Sequence, residues 1–261
     1  MTLKIFQVDA FTSRVFSGNP AAVCILDVWL GDNLMQAIAN ENNFSETAFA
    51  VPVGDRYEIR WFTPEMEVEL CGHATLATGH VLFNHLGHPT NRIEFDSVHS
   101  GRLSVEKHGD LLTLDFPADT MEEMVVPEII VTALERPPLK AFKGKTDFMF
   151  VYASQAEIES MQPDFGLLGQ MGGRGIIVTA MGNDVNFVSR FFAPRAGINE
   201  DPVTGSAHTT LTPYWSRVLG KEKLTAQQLS ARGGELICEL RGDRVLISGG
   251  AVTYLEGEIK F

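Results

Sequence analysis

Residues 72–87 read GHATLATGHVLFNHLG, and residues 205–220 read GSAHTTLTPYWSRVLG. Each stretch opens on glycine and a polar residue, continues with apolar residues at helical spacing, and closes on Leu-Gly. Both the first and the last positions of the two stretches are 133 residues apart. A repeat of this kind predicts two helices in equivalent places of two similar halves. Small and apolar residues dominate the helix starts, which suits helices enclosed by a sheet.

The same register extends on both sides of these helices. Downstream, GRLSVEKHGD at 101–110 faces GELICELRGD at 234–243, again 133 residues later. Upstream, RWFTP at 60–64 resembles RFFAP at 190–194, at an offset of 130. A register that persists over so many residues predicts a duplicated domain rather than a chance match.

Both halves contain the same order of predicted elements, with a strand, a loop, the helix and then a hairpin. The strands are expected at 57–62 and 186–192, and the hairpins at 102–105 with 111–115 and 235–240 with 244–248. Further strands are expected at 3–10, 21–26, 46–53, 147–152 and 175–180, and a helix at 31–41 capped by Asp32 or Asn33.

Many strands with one substantial helix per half predict an α+β fold. We expect two homologous domains, 1–117 and 118–261, each a barrel-like, mostly antiparallel sheet around a central helix. The last strand of the chain could instead belong to the sheet of the first domain. The sequence contains neither a G-x-G-x-x-G after a strand nor a G-x-x-x-x-G-K-[ST] motif, so a nucleotide cofactor is not expected.

Composition limits the kinds of molecule that the protein is expected to bind. The chain has 261 residues, a net charge of −12 and a mean hydropathy of +0.02. An acidic protein without a concentrated basic patch is not expected to bind nucleic acid. We see no signal peptide and no apolar run long enough for a membrane span. The three cysteines, at 24, 71 and 238, fit neither a disulfide framework nor a zinc template. These features predict a soluble, cytoplasmic protein.

The loops that lead into the two helices are the candidate sites. Glycines at a helix start let a ligand approach the backbone closely, and the first N–H groups with the helix dipole attract an anion. Two such starts facing one cleft could hold a substrate carboxylate and stabilise charge beside it. The plainer alternative is that Gly205-Ser206 is only a helix cap.

Glu46, Cys71 and His73 each allow two interpretations. Glu46 lies among apolar residues, a setting that suits a proton-transferring carboxylate, although most glutamates are simply exposed. His73 could be a histidine satisfied by backbone groups at the helix start. Cys71 could be an inert buried thiol. The other histidines of this segment, His80 to His88, lack a carboxylate partner and predict no metal site.

Four blocks occur in order along essentially the whole chain: SGNPA (17–21), NFSET (43–47), LCGHAT (70–75) and EDPVTGSA (200–207). They resemble the signature blocks of the phenazine-biosynthesis PhzF-like family, which belongs to the diaminopimelate epimerase/proline racemase superfamily. Four separate blocks make this resemblance highly specific. It implies the diaminopimelate epimerase-like fold, with the active site between two similar domains.

The resemblance also implies an activity and its residues. It implies an isomerase that moves a proton on a small carboxylic acid, as in the isomerisation of a dihydro-hydroxyanthranilate, without metal or organic cofactor. It implies a homodimer and Glu46 as the general acid/base. The implied catalytic residues are Glu46, Asp201 and His73, and the implied substrate-binding residues are Gly72, Gly205, Ser206, Asn19 and Cys71.

Two alternatives stay open at this point. Thiol-dependent epimerases and racemases of the superfamily use one cysteine at each helix junction. This chain has Cys71 at the first junction and Asp201 at the second, so a mixed Cys71/Asp201 pair could epimerise an amino acid. The other alternative is a catalytically inactive protein whose cleft binds a metabolite.

Overall fold

The computed structural model describes residues Thr2–Phe261, over which it contains 17 β-strands and six α-helices. The elements up to the middle of the chain are β1 (Thr2–Ala10), β2 (Asn19–Ile25), α1 (Asp32–Asn42), β3 (Glu46–Val53), β4 (Arg56–Phe62), β5 (Glu67–Val68), α2 (Gly72–Asn84), β6 (Arg92–Ser97), β7 (Gly101–His108) and β8 (Leu111–Pro117). They are followed by β9 (Glu122–Met124), α3 (Glu128–Ala133), β10 (Lys140–Lys143), β11 (Asp147–Val151), α4 (Gln155–Glu159), α5 (Phe165–Leu168), β12 (Gly175–Met181), β13 (Phe187–Phe192), α6 (Ala207–Leu219), β14 (Lys223–Gln228), β15 (Gly234–Arg241), β16 (Arg244–Gly249) and β17 (Ala251–Lys260).

The chain divides into two compact units. Unit 1 is formed by the residues up to Asp115 together with Ser248–Phe261, and unit 2 by Phe116–Ile247. The last strand, β17, therefore belongs to unit 1, where it pairs antiparallel with β1. The first and last strands of the chain are neighbours in one sheet.

In unit 1 the strands follow the order β17-β1-β2-β3-β4-β6-β7-β8. Two of these pairings are parallel, β2 with β3 and β4 with β6, and the others are antiparallel. Helix α2 packs against β1, β2, β3, β7 and β17, so it contacts strands from both ends of this order. The sheet is therefore wrapped around α2, and every residue of α2 from His73 to Phe83 is buried.

Unit 2 repeats this pattern with strands β9-β10-β11-β12-β13-β14-β15 and the hairpin partner β16. Its parallel pairs are β11 with β12 and β13 with β14, in the same places of the order as in unit 1. Helix α6 packs against β14 and β15 and buries most of its residues. The α+β class and the mostly antiparallel sheet around a central helix are confirmed.

Helix α6 runs from Ala207 to Leu219, close to the expected 205–219. One local prediction is wrong. Helix α1 has Gly31 as its N-cap and no side-chain cap, so neither Asp32 nor Asn33 caps it. The carboxylate of Asp32 instead accepts a hydrogen bond from Arg60 Nη1 at 2.8 Å, which takes it away from the helix N–H groups. None of the helices between residues 2 and 261 is both long and apolar enough to cross a membrane.

His208 is a fully buried imidazole at the centre of unit 2. Its Nδ1 lies 2.8 Å from the carbonyl oxygen of Thr204, so this nitrogen carries the proton and donates it to that bond. The ring lies 5.9 Å from the ring of Phe187, between centroids. Burial lowers the pKa of His208 to about 4, and the hydrogen bond to Thr204 offsets this only in part. His208 is therefore neutral at pH 7.

This burial predicts a specific acid sensitivity. The unfolded chain binds a proton at His208 below about pH 6.5, whereas the folded chain does so only near pH 4. The free energy of unfolding should therefore fall as the pH drops through this window, by about 2 kcal/mol at pH 5 for this residue alone. Urea titrations at pH 7.5, 6 and 5 measure the free energy of unfolding at each pH. In His208→Asn, the fall in this free energy between pH 7.5 and pH 5 should be smaller by the contribution of one histidine. An equally steep loss in the variant would contradict the assignment.

Candidate functional site

The parallel pairing of β2 and β3 builds the first half of the site. In this register Ala21 lies opposite Glu46, so the starts of both strands lie at the same end of the sheet. Asn19 is the first residue of β2, and Glu46 is the first residue of β3. The N-terminus of α2, with Gly72 as its first residue, brings His73 to this end. Three separate segments of unit 1 thus place polar groups around one imidazole.

His73 is the centre of this group. Its Nε2 lies 3.3 Å from Glu46 Oε2, and its Nδ1 lies 3.2 Å from the amide nitrogen of Asn19. The side chain of His73 is 6% exposed and that of Glu46 is 13% exposed, while Asn19 is fully buried. The carboxylate is therefore held against the imidazole with little access for solvent.

The hydrogen bonds determine which tautomer His73 adopts. The amide N–H of Asn19 donates to Nδ1, which must then be the unprotonated nitrogen. The proton is on Nε2, which lies 3.3 Å from the carboxylate of Glu46. Burial lowers the pKa of His73 to about 3, so the ring is neutral at physiological pH. His73 therefore faces Glu46 as a neutral imidazole rather than as a cation.

Cys71 adds a thiol to the same group. It is the N-cap residue of α2, but its side chain makes no capping hydrogen bond. Its Sγ lies 3.5 Å from Nδ1 and 4.0 Å from Nε2 of His73. The other two cysteines, Cys24 and Cys238, are free and lie in apolar cores, where burial raises the pKa of each thiol to about 12. Cys71 thus differs from them in having an imidazole and a carboxylate nearby.

In unit 2 the loop before α6 carries Asp201. Its Oδ2 accepts a hydrogen bond from Thr204 Oγ1 at 2.5 Å. The buried side chain of Gln228 fixes this loop, because its amide group donates to the carbonyl of Asp201 at 2.7 Å and accepts from the N–H of Thr204 at 2.8 Å. Gln228 ends β14, so the position of the Asp201 carboxylate is set by the sheet as well as by its own loop.

Ser206 is next to an arginine that the sequence did not single out. Arg174 Nη2 donates to Ser206 Oγ at 2.9 Å, and the guanidinium also makes a bidentate ion pair with the buried carboxylate of Asp147. Burial opposes the charge of Arg174, but the hydrogen bond and attraction of Asp147, with that of Asp201, raise its pKa overall. Ser206 makes no side-chain cap on α6, so the helix-cap alternative does not account for its hydroxyl.

An arginine–glutamate pair supports the loop before the central helix in each unit. In unit 1, Arg60 of β4 makes a bidentate pair with Glu67, at 2.7 and 2.6 Å. In unit 2, Arg190 of β13 does the same with Glu200, at 2.7 and 2.9 Å. Arg190 also donates to the carbonyls of Ile158 and Met161. The two pairs occupy equivalent places of the repeat, and each connects a strand to the loop that carries site residues.

The predicted residues therefore form two groups. Glu46, His73, Asn19, Cys71 and Gly72 come together in unit 1. Asp201, Ser206 and Gly205 lie at the start of α6 in unit 2, where the carbonyl of Gly205 accepts from the N–H of His208 at 3.0 Å.

Sequence reasoning missed Arg174 and Gln228. Strand β12 occupies the place in unit 2 that β3 occupies in unit 1, and Arg174 immediately precedes β12 just as Ser45 precedes β3. Extending the repeat to these two strands would therefore have drawn attention to Arg174. Gln228 gives no comparable signal, because its role depends on a loop that lies 24 or more residues earlier.

Comparison with known proteins supports the interpretation of the fold. Residues 8–257 match the family described as PhzC-PhzF, phenazine biosynthesis-like protein. A Pseudomonas aeruginosa relative, named an uncharacterized isomerase, is 52% identical over 260 residues, covering all of this chain and 99% of the relative. A crystal structure of a PhzF family protein from Enterococcus faecalis superposes with a TM-score of 0.98 at 46% identity, covering 100% of both chains. A hydroxyproline epimerase from Agrobacterium vitis shares the fold, with a TM-score of 0.64 at 10% identity, over 99% of this chain and 92% of that one.

Proposed function

This chain belongs to the phenazine biosynthesis-like (PhzF) family and is an isomerase, and we propose that it moves a proton on a small carboxylic acid with Glu46 as general acid/base. The observation that carries the proposal is the carboxylate of Glu46 held 3.3 Å from the neutral imidazole of His73 at the start of a buried helix. A carboxylate so placed can take a proton from carbon and, through its 13% exposed side chain, exchange it with solvent before returning it.

The proposed reaction has two proton transfers. Glu46 takes a proton from one carbon of the substrate, and the electrons of that C–H bond move into the adjacent π system. The neutral acid then returns the proton to another carbon, and the double bond has migrated without net gain or loss of atoms. The low pKa of His73 keeps it from taking this proton at neutral pH. Its ring instead lies against the carboxylate and limits where the carboxylate can move.

The second group of residues supports a carboxylic acid as the substrate. We propose that the substrate's own carboxylate is bound by groups at helix starts, with Gly72, Gly205 and the hydroxyl of Ser206. The cation of Arg174, bonded to Ser206, supports an anionic substrate although the chain as a whole has a net charge of −12. Asp201 is the proposed polar partner on this side. A cytoplasmic location and a homodimer stay predictions.

Proton NMR in deuterated water tests this proposal directly. The protein is incubated with trans-2,3-dihydro-3-hydroxyanthranilate and, separately, with a panel of small amino and hydroxy acids. We expect deuterium to enter one carbon position of a carboxylic acid as its double bond migrates. Absence of deuterium incorporation with every compound of the panel would contradict the proposal.

One observation favours a second candidate, epimerisation of an amino acid by Cys71 with Asp201. The thiol of Cys71 lies 3.5 Å from Nδ1 of His73 and in the same group as the carboxylate of Glu46, which could accept its proton and leave a thiolate base. In this case deuterium should enter an α-carbon with inversion, and Cys71→Ala should abolish the exchange. Retained exchange in Cys71→Ala would exclude this candidate.

A further inference from the structure

Three different metal-binding atoms meet at the first group of site residues. A carboxylate oxygen of Glu46, the sulfur of Cys71 and a ring nitrogen of His73 all lie within 4.8 Å of one another. Sulfur, imidazole nitrogen and carboxylate oxygen are the three ligand types that zinc accepts in proteins. The three residues come from two segments, at 46 and at 71–73, so their spacing matches no short sequence motif.

The distances fit a tetrahedral zinc site. With Zn–N and Zn–O bonds near 2.0 Å, tetrahedral angles separate nitrogen and oxygen by about 3.3 Å, and with a Zn–S bond near 2.3 Å they separate sulfur and nitrogen by about 3.6 Å. His73 Nε2 lies 3.3 Å from Glu46 Oε2 and 4.0 Å from Cys71 Sγ. The thiol therefore needs to approach Nε2 by only about 0.4 Å to share one ion with it, and its sulfur already lies within 4.8 Å of the carboxylate oxygen.

The protonation of the group also suits an ion. His73 is neutral, so its proton must only move from Nε2 to Nδ1 for Nε2 to become a ligand. The amide of Asn19 can then rotate and accept from Nδ1–H, which is the usual outer partner of a metal-bound histidine. The thiol of Cys71 gives its proton to solvent on binding, because a coordinating sulfur is a thiolate.

We propose that Glu46, Cys71 and His73 bind one Zn²⁺ ion, with its fourth position open to water or to a substrate carboxylate, and that this ion reversibly inhibits the isomerase. The inhibitory part rests on the proposed function, since the ion would use the carboxylate that carries the proton. The structure thus assigns this group a regulatory ligand in addition to its proposed role in proton transfer.

Binding is tested without any substrate. Protein dialysed against a chelator and then freed of it is titrated with Co²⁺, which reports thiolate coordination through a charge-transfer absorption band. We expect one Co²⁺ per chain with this band, and displacement by Zn²⁺, which generally binds more tightly. Cys71→Ser should lose the band and weaken Zn²⁺ binding by roughly a hundredfold. Cys238→Ala, which removes a buried thiol of unit 2, should keep both.

Thermal unfolding provides a second readout that does not depend on the charge-transfer absorption band. Zn²⁺ should raise the Tm of the wild type, because it binds only the folded site, and should leave the Tm of Cys71→Ser unchanged. Circular dichroism shows whether that variant is folded, and His73→Asn serves as a second variant. A band or a Tm increase that persists in both variants would overturn the assignment, as would the absence of saturable binding.

Inhibition is measured separately. Deuterium exchange in the presence of chelator reports on the proposed function alone, and its absence would contradict that function while leaving the metal site standing. One equivalent of Zn²⁺ should abolish the exchange, and excess chelator should restore it. Stoichiometric binding without loss of exchange would overturn the inhibitory part of the proposal.

Discussion

Glu46→Gln is expected to lower the rate of solvent-deuterium incorporation by roughly 10²- to 10⁴-fold, the range that a positioned general acid/base contributes. The amide keeps the size of the side chain, and its oxygen can lie at the same 3.3 Å from His73 Nε2. It cannot take a proton from carbon at neutral pH. The variant therefore removes the proposed chemistry while preserving the geometry around it.

The matched control is Glu41→Gln, five residues earlier. Glu41 is an exposed residue of α1, so the same substitution should leave the exchange rate within about twofold, as expected of a surface site. Proton NMR of both variants with the same substrate makes the comparison. Exchange in Glu46→Gln at the rate of the control would place the proton carrier elsewhere, with Cys71 as the next residue to replace.

The second large effect is expected from Gly18→Ala. Gly18 has φ +67°, and a Cβ atom added there would lie 2.2 Å from the carbonyl oxygen of Ala10 and 2.8 Å from Thr12 Cγ2. The left-handed conformation costs an alanine about 1 kcal/mol, and forcing the backbone apart adds about 1–3 kcal/mol. Because Asn19 is the next residue, the same displacement should also loosen its bond to His73 and slow the exchange reaction.

Gly54→Ala separates the two contributions. Gly54 has a similar φ of +64° but no atom within 4 Å of an added Cβ, so it carries only the conformational cost. By differential scanning calorimetry, we expect the Tm to fall by about 3 °C in Gly54→Ala and by about 8 °C in Gly18→Ala. An equal decrease in Tm in both variants would show that the close approach to Ala10 adds no cost at Gly18.

Local patterns in the sequence were sufficient to predict several elements. Helix α2 follows from its apolar residues at helical spacing, and its predicted start at Gly72 is confirmed. The hairpin of β7 and β8 follows from the alternating residues and from the turn at Gly109-Asp110, where His108 pairs with Leu111. In each case the deciding residues lie close together in the chain, so their pattern is visible before folding.

The features that were missed depend on distant partners. The N-cap prediction for Asp32 was wrong because Arg60, 28 residues away, binds its carboxylate. Arg174 is held in position by its ion pair with Asp147, which lies 27 residues earlier. Neither partner is marked by spacing or composition, because the packing of α1 against β4 brings Arg60 to Asp32 and the pairing of β11 with β12 brings Asp147 to Arg174. Glu46 itself could be singled out only by the family resemblance, since its neighbour His73 belongs to another segment.

The pairing of β17 with β1 has a consequence for biosynthesis. A ribosome makes β1 first and β17 last, and the two strands pair along nearly their whole length, from Thr2 with Lys260 to Ala10 with Ala251. The nascent chain must therefore keep the edge of β1 unpaired throughout translation, although N-terminal domains generally fold first. Unit 2, whose residues form one continuous segment, is complete before unit 1. The half of the protein that is translated first is thus the last to receive all its strands.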